Sequence, residues 1–308
     1  MLEQLKQKNI ADLLHYLLSN GCATKSDLVR STALGNSTVS DAINDLSSLS
    51  LVNVVGKEDS VGGRCSLIYG INKDYGSFVG VAFRDDGIDF ALTDCHNEVL
   101  KFWNVKYDSR TSPISLLLKN LHQVSQSEEN LLGIGLGVCG EIDYKSQVVI
   151  RCEKLNWQYV HLKEIVEREL LKMTIVDHCV NGAALREKLV GAAKDTDNFL
   201  YFTSFASDKV GIFLDGNIIS GQHNMVGRVE ESNKTISEFL HSLYKCLDVK
   251  RVIVASDTET FDEVKKHIEV SQRVECNEYD LARGMAISAE SKWFYRTRMR
   301  LKSGIGNS

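Results

Sequence analysis

The chain has 308 residues, 43% hydrophobic and 25% charged. That balance fits a globular protein with a sizeable core, in about two domains at ~100–200 residues each. The net charge of −5 excludes a protein that binds nucleic acid over its whole surface, so any such function must reside in a local patch. No apolar run approaches the ~20 residues that span a bilayer. The N-terminus, MLEQLKQKNIADLL, is amphipathic without a signal-peptide shape, and a cytoplasmic protein with no membrane partner is expected.

In chain order, Ile10, Leu13, Leu14, Leu17 and Leu18 fall at i, i+3, i+4, i+7 and i+8, one apolar stripe on a helix, which Asn20–Gly21 ends. Thr24 is placed to cap a short helix over 25–32, with Asp27 completing a short-carboxylate capping box. After TALGN, Ser37 is placed to cap a third helix, whose apolar face is Val39, Ala42, Ile43 and Leu46. Two short helices joined by a tight, glycine-containing turn form a helix-turn-helix. The strand-like segments LVNVVG and CSLIYGI follow, enclosing KEDSVGGR as a hairpin. Residues 1–72 therefore read as a winged helix-turn-helix that binds double-stranded DNA.

The electrostatics of that module are thin. It holds Lys6, Lys8, Lys25, Arg30, Lys57 and Arg64 against a comparable set of acids, and its third helix carries Asp41 and Asp45 with no base. Affinity for duplex DNA comes largely from neutralised phosphates. The expected contacts are Lys25 and Arg30 near the backbone and Ser37, Thr38, Ser40 and Asn44 at base edges. Arg64, glycine-flanked on the wing, is placed to enter a minor groove. A homodimer or higher homo-oligomer on a two-fold site would double every contact.

From residue 75 the pattern changes. GSFVGVAFR and IDFALTD make a hairpin about Asp86–Gly87, and EVLKFWNVKY is a third strand. Helix SPISLLLKNLHQV, strand LLGIGLGV, helix HLKEIVERELL, strand TIVD and helix NGAALREKLVGAAK follow. FLYFTSFA and KVGIFLDGNII begin a second β-rich start, continued by helix ISEFLHSLYKCL, strand RVIVAS, and helices TFDEVKKHI and DLARGMAISAESKWF. Two such starts, each followed by helix–strand alternation, predict a duplicated α/β unit with two lobes. The eight cysteines are scattered without C-x-x-C spacing. They form neither a zinc knuckle nor a disulfide framework and are expected to be small core residues in a reducing compartment. The single proline, Pro113, decides nothing.

At this point the whole chain resembles the ROK family (repressors, open reading frames, sugar kinases), in its repressor branch. VGGRC resembles the end of the family's winged helix, and GVAFRDDGIDFALTD its first phosphate motif. GIGLGVCGEID resembles the G-x-x-x-P-G-x-x-D stretch, and LNWQYVHLKEIVE the W-x-x-x-x-L-x-x-x-x-E segment. VDHCVNGAALRE resembles the N-D-A-N-A-A-A-L-x-E site, and VGIFLDGNIISG the second phosphate motif. The resemblance implies an α/β fold class in which the winged helix-turn-helix precedes a two-lobed actin-like ATPase (ribonuclease H-like) fold. That second domain, over 75–308, would bind an effector and dimerise.

The departures bear on activity. Where the family's kinases have G-x-D-x-G-G-T, Gly80 is followed by Ala82, Arg84, Asp85 and Asp86, an acidic pair that repels a nucleotide. The second phosphate turn has become SFASDKVG, and the adenosine-contacting Gly-Gly is Ala255–Ser256. Cys179 stands where the kinases have their catalytic aspartate and His178 where they have asparagine. A cysteine is no base for a sugar hydroxyl. Asp177, one step earlier with a different expected backbone direction, is not counted as a substitute. Asn181 and Glu187 remain. In GRVEES, Arg228 takes the place of a sugar-binding glutamate and Glu231 that of a zinc-binding histidine, and the cysteine cluster is missing, so neither metal nor cofactor is expected.

The implied function is a DNA-binding regulator of carbohydrate genes with a catalytically inactive sugar-kinase-like domain. Its ligand-binding candidates are His178, Cys179, Asn181, Glu187 and Arg228, for a sugar or sugar phosphate effector; these replacements argue against ordinary neutral hexose recognition, and Arg228 suits a phosphorylated or acidic sugar. The alternatives are an ATP-dependent sugar kinase with altered catalytic residues and an interaction protein that has lost ligand binding.

Overall fold

A computed structural model describes residues 2–58, 65–108, 110–206, 209–229, 235–275, 277 and 279–303. The chain divides into two compact units. The first comprises Met1–Ser77, Asp94–His96 and Ser291–Ser308, and the second Phe78–Thr93 and Asn97–Glu290.

In the first unit, α1 (Leu2–Asn20) is followed by β1 (Cys22–Thr24), α2 (Lys25–Thr32), α3 (Asn36–Ser48), β2 (Val52–Glu58) and β3 (Ser66–Ile71). Ile10, Leu13, Leu14 and Leu17 are buried, and Leu18 at the edge of the stripe is 36% exposed. Gly21 adopts φ +79°, the left-handed conformation that favours glycine after a helix, and its N–H bonds to the Leu17 carbonyl at 2.8 Å. The Thr24–Asp27 capping box closes as expected, and the Thr24 hydroxyl holds the Asp27 carboxyl below its usual range. The third helix starts earlier than expected. Gly35 is its N-cap, without a side-chain bond, so Ser37 lies in the first turn and caps nothing. Val39, Ala42, Ile43 and Leu46 are buried.

β3 pairs antiparallel with both β2 and β1. The three residues of β1 are too few to carry a periodic signal in the sequence. The last turns of α9 (Asp280–Ser303) also belong to this unit. There Lys302 Nζ lies 3.2 Å from Asp12, Arg298 Nη1 2.5 Å from His15 Nδ1, and the Trp293 ring 5.8 Å from that of Tyr75. Burial, and then the charges of Arg298 and Lys302, lower the His15 pKa.

The second unit contains β4 (Ser77–Phe83), β5 (Gly87–Asp94), β6 (Val99–Lys106), α4 (Pro113–Ser127) and β7 (Leu131–Gly137). Next come β8 (Glu141–Ile142), β9 (Val149–Cys152), β10 (Trp157–Val160), α5 (Leu162–Leu170), β11 (Met173–Asp177) and α6 (Cys179–Val190). The second half runs β12 (Phe199–Thr203), β13 (Gly211–Leu214), β14 (Asn217–Ile218), α7 (Ile236–Leu247), β15 (Arg251–Ala255), α8 (Thr258–His267) and β16 (Ser271–Val274), before α9. Pro113 opens α4 behind the N-cap Ser112, where its missing N–H costs nothing.

Among the described residues, one five-stranded sheet has the order β11-β7-β4-β5-β6 and the other β14-β13-β12-β15-β16. Read from their parallel ends, the two orders match strand for strand. A leading strand sits in the middle, its meander partners lie on one side, and the later parallel strands lie on the other. This is the duplicated unit that the sequence predicts. The small sheet β10-β9-β8 and strand β16 were not foreseen. Each is short and half-exposed, so alternation is weak.

Helix α9 lies unusually close to its neighbours. A Cβ on Gly80 of β4 would meet the Ala282 carbonyl, one on Gly135 of β7 the Met285 carbonyl, and one on Gly182 of α6 the backbone of Gly284 at 2.9 Å. Gly80, which opens the segment resembling a phosphate motif, therefore gives its space to a helix backbone. Overpacking against a backbone has no flexible side chain to absorb it. Gly284→Ala is expected to cost about 1–3 kcal/mol, more if the helix cannot shift, read as a lower urea midpoint with an unchanged slope.

Candidate functional site

In open α/β sheets, ligands bind at the carboxyl ends of the strands. β11 pairs parallel with β7, Asp177 opposite Gly137, so both strands leave the sheet side by side. His178 then caps α6: its Nδ1 accepts from Val180 N at 3.3 Å, and the ring is 2% exposed.

The Asp177 carboxylate is the centre of a polar cluster. Its Oδ1 accepts from His178 N at 2.7 Å, Asn181 Nδ2 at 2.8 Å and Asn224 Nδ2 at 2.6 Å. Asn224 Oδ1 in turn accepts from Asn181 Nδ2 at 2.9 Å and from Lys209 Nζ at 2.8 Å. Lys209 Nζ also donates to the Asn224 carbonyl at 2.9 Å. Lys209 is 2% exposed and Asn224 3%. A buried ammonium needs compensating charge and hydrogen bonds. Here the Asn224 amide turns its oxygen to the cation and its nitrogen to the anion, relaying one to the other. Two acceptors remain. Asn181 Oδ1 is buried without a hydrogen-bond partner among the described residues, and Asp177 Oδ2 takes none of the three bonds that anchor Oδ1.

Of the residues singled out in the sequence, Asn181 alone joins this cluster through its side chain, beside the His178 cap. Cys179 is fully buried, its Sγ 3.5 Å from Cys139 Sγ, and faces the sheet. Glu187 is buried and structural: it pairs with Arg186, which also bridges to Asp280 at 3.2 Å, and its Oε2 accepts from Ala192 N at 2.8 Å. Arg228 is exposed, its Nη1 3.4 Å from the Met225 sulfur, although its backbone bridges Lys209. Glu230, Glu231, Cys276 and residues 207–208 lie outside the described residues.

Lys209 and Asn224 were missed, and Asp177 was named but set aside on its expected backbone direction. As the last residue of a parallel strand it stands at the end where ligands bind. Nothing in the sequence marks the other two, since Asn224 is 43 residues from Asn181 and both are polar residues of loop-like segments.

Between the two segments that resemble phosphate motifs, Arg84 reaches across. Its guanidinium lies 5.3 Å from the centre of the Phe205 ring and 3.2 Å from the buried Asp89. Beyond Phe205 a cavity of about 460 Å³ sits at the carboxyl ends of β12, β15 and β16, and its lining includes Asp257, Glu275 and Arg273.

In the first unit, Lys25 is half-buried and Arg30 is exposed and paired with Asp27. Ser37 and Asn44 are exposed. Thr38 lines a small cavity with Leu5, Lys6 and Asn9 of α1, and the Ser40 hydroxyl donates back to the Asn36 carbonyl at 3.0 Å. Arg64 lies outside the described residues.

Residues 79–231 match the family model described as ROK family. Among curated proteins, the chain is 29% identical to the xylose repressor of Bacillus subtilis (strain 168) over 231 residues, 73% of this chain and 60% of that protein. It is 29% identical to a glucokinase of Halalkalibacterium halodurans over 49% of this chain and 48% of that one. The chain thus spans about 60% of the length of the curated repressors it matches. Among solved structures, a ROK family transcriptional regulator, a homolog of the E. coli MLC protein, superposes over 98% of this chain and all of its own, with TM-score 0.73 and 13% identity. A ROK family glucokinase from Streptomyces griseus, in complex with glucose and AMPPNP, covers 70% of this chain and all of its own, with TM-score 0.61 and 14% identity.

Asn224→Ala removes the amide that relays Lys209 to Asp177. A loss of about 1.5–3 kcal/mol is expected, the scale of hydrogen bonds to charged groups, measured by urea unfolding.

Proposed function

With residues 79–231 forming a ROK family domain, we propose that the chain is a DNA-binding transcriptional regulator of sugar metabolism whose kinase-like domain is catalytically inactive. The observation that carries this reading is the order of the first unit: helix, short strand, two helices, then a hairpin whose second strand pairs with the short one. That order supports reading the unit as a winged helix-turn-helix, with α3 as the recognition helix. Superposition over nearly the whole length of a ROK regulator supports it. The second unit is then the two-lobed actin-like domain. No helix of the described residues is long and apolar enough to cross a membrane, and the proposed location is the cytoplasm.

The weak charge of residues 1–72 is offset from the other end of the chain. Residues 291–303 of the first unit contain Lys292, Arg296, Arg298, Arg300 and Lys302 and no acid. Arg298 and Lys302 turn to α1. Lys292, Arg296 and Arg300, spaced by four, share another face, which supplies phosphate contacts. A homodimer doubles both sets on a two-fold operator.

The site supports binding without phosphoryl transfer. Cys179 is buried against the sheet, and the Arg84 guanidinium lies 5.3 Å from the Phe205 ring, between the two segments that resemble phosphate motifs. The acceptors Asp177 Oδ2 and Asn181 Oδ1 suit hydroxyl donors of a neutral sugar. They disfavour a sugar phosphate, and Arg228 is turned outward. Xylose is the first sugar to test, given the relatives named xylose repressor. Binding would shift the angle between the lobes and so bias the spacing of two winged helices, through differential affinity for two states.

Site-specific, salt-sensitive retardation of DNA from upstream of the gene is expected. Its absence overturns the regulator reading in favour of an interaction protein. Arg296→Ala and Arg300→Ala should each reduce the salt slope of binding by about 1. Asp177→Ala should weaken sugar binding by about 1.5–3 kcal/mol in titration calorimetry. With ATP, Mg²⁺ and a hexose panel, no turnover above background is expected; turnover favours the kinase alternative.

A further inference from the structure

The parallel register that sets Asp177 beside Gly137 brings together two cysteines forty positions apart. Val138 N bonds to the Asp177 carbonyl at 3.0 Å, so the chains leaving β7 and β11 stay in contact for one more residue. Two residues past each paired position stand Cys139 and Cys179, with sulfurs 3.5 Å apart. Both are thiols. Cys179 is the first residue of α6, fully buried, and a Cβ on Gly137 would lie 3.0 Å from its sulfur. Cys139 is half-buried, in the bend between β7 and β8. A third thiol, Cys152 at the end of β9, donates to the Cys139 carbonyl at 3.4 Å. Its bond is to the Cys139 backbone, whereas Cys179 meets the Cys139 sulfur.

A disulfide needs sulfurs about 2.0 Å apart, a closure of about 1.5 Å from the separation seen here, within reach of rotation about the Cα–Cβ bonds. Reversible thiol oxidation requires one accessible sulfur with a resolving partner next to it. Cys139 has the access and Cys179 the position.

We infer that Cys139 and Cys179 are a peroxide-sensitive thiol pair that closes to an intramolecular disulfide. The Cys139 sulfur, as thiolate, attacks one oxygen of hydrogen peroxide. The O–O bond breaks, leaving a sulfenic acid on Cys139, and the departing hydroxide takes a proton to become water. The Cys179 sulfur then attacks the sulfenic sulfur, its thiol proton leaves with the displaced hydroxide as a second water, and the S–S bond forms. Two thiols are oxidised and one peroxide is reduced to two waters. The link ties the bend after β7 to the first residue of α6, next to His178 and two residues from Asp177. On the effector reading proposed above, oxidation therefore changes how the site holds its sugar.

The test uses the full chain with Cys22, Cys65, Cys246 and Cys276 replaced by Ser, so that other thiols neither consume peroxide nor cross-link chains. After limited peroxide, alkylation and proteolysis, mass spectrometry should show a Cys139–Cys179 peptide lighter by two hydrogens, which dithiothreitol abolishes. Both cysteines recovered as alkylated thiols, Cys139 linked to Cys152, or Cys139 carried to sulfinic acid without a link would each overturn the inference. In Cys179→Ala, dimedone should trap the sulfenic acid on Cys139, and failure to label counts against the pair. Should that variant not fold, Cys139→Ser should remove the linked peptide and leave Cys179 alkylated after unfolding. Xylose titration of the reduced and linked forms follows separately. Equal affinity refutes the effect on the site but not the chemistry, which the mass spectra decide alone.

Discussion

The close approach of α9 to β4, β7 and α6 is the constraint from which the rest of the second unit follows. Side chains on the facing positions would push the helix away by the width of a methyl group, and Gly80, Gly135, Gly182 and Gly284 remove them. The first sheet, the central helix α6 and the last helix then share backbone contacts rather than a layer of rotamers. Interiors at crystal-like density transmit displacement instead of absorbing it. The N-terminus of α6, with Asp177 before it and Asn181 one turn in, is placed by that contact.

On that frame the polar cluster is a small problem in charge balance. A buried ammonium and a half-buried carboxylate have one amide between them, and the amide has a single orientation that satisfies both. A carboxylate is present at the site after all, at the last residue of β11 rather than the first of α6. Three donors on Oδ1 fix where Oδ2 points, which suits it to accept a hydrogen bond. Proton abstraction would also need a nucleotide in line.

Much of the fold was legible because it is periodic. The stripe on α1, the Thr24 capping box, the apolar face of α3 and the two β-rich starts each repeat a local rule. The cluster was legible only where a local rule applied, at Asn181 behind a strand end. Lys209 and Asn224 are polar residues in segments that resemble surface loops, and only the sheet topology buries them. His178 and Cys179 were placed correctly along the chain but misread in direction. A cap turns its side chain back onto its own helix, and the first helical residue here points into the sheet. The thin charge read over residues 1–72 stands; further basic residues of the first unit lie in the last described turns of α9, far from that segment in sequence.

That last arrangement bears on synthesis. Asp12 and His15 of α1 find their partners in Lys302 and Arg298, nearly three hundred positions later. During translation α1 emerges long before those partners and waits without them. Contacts of such sequence separation form slowly and late. On the regulator reading proposed above, a product that stops short of α9 lacks the basic face offered for phosphate contacts.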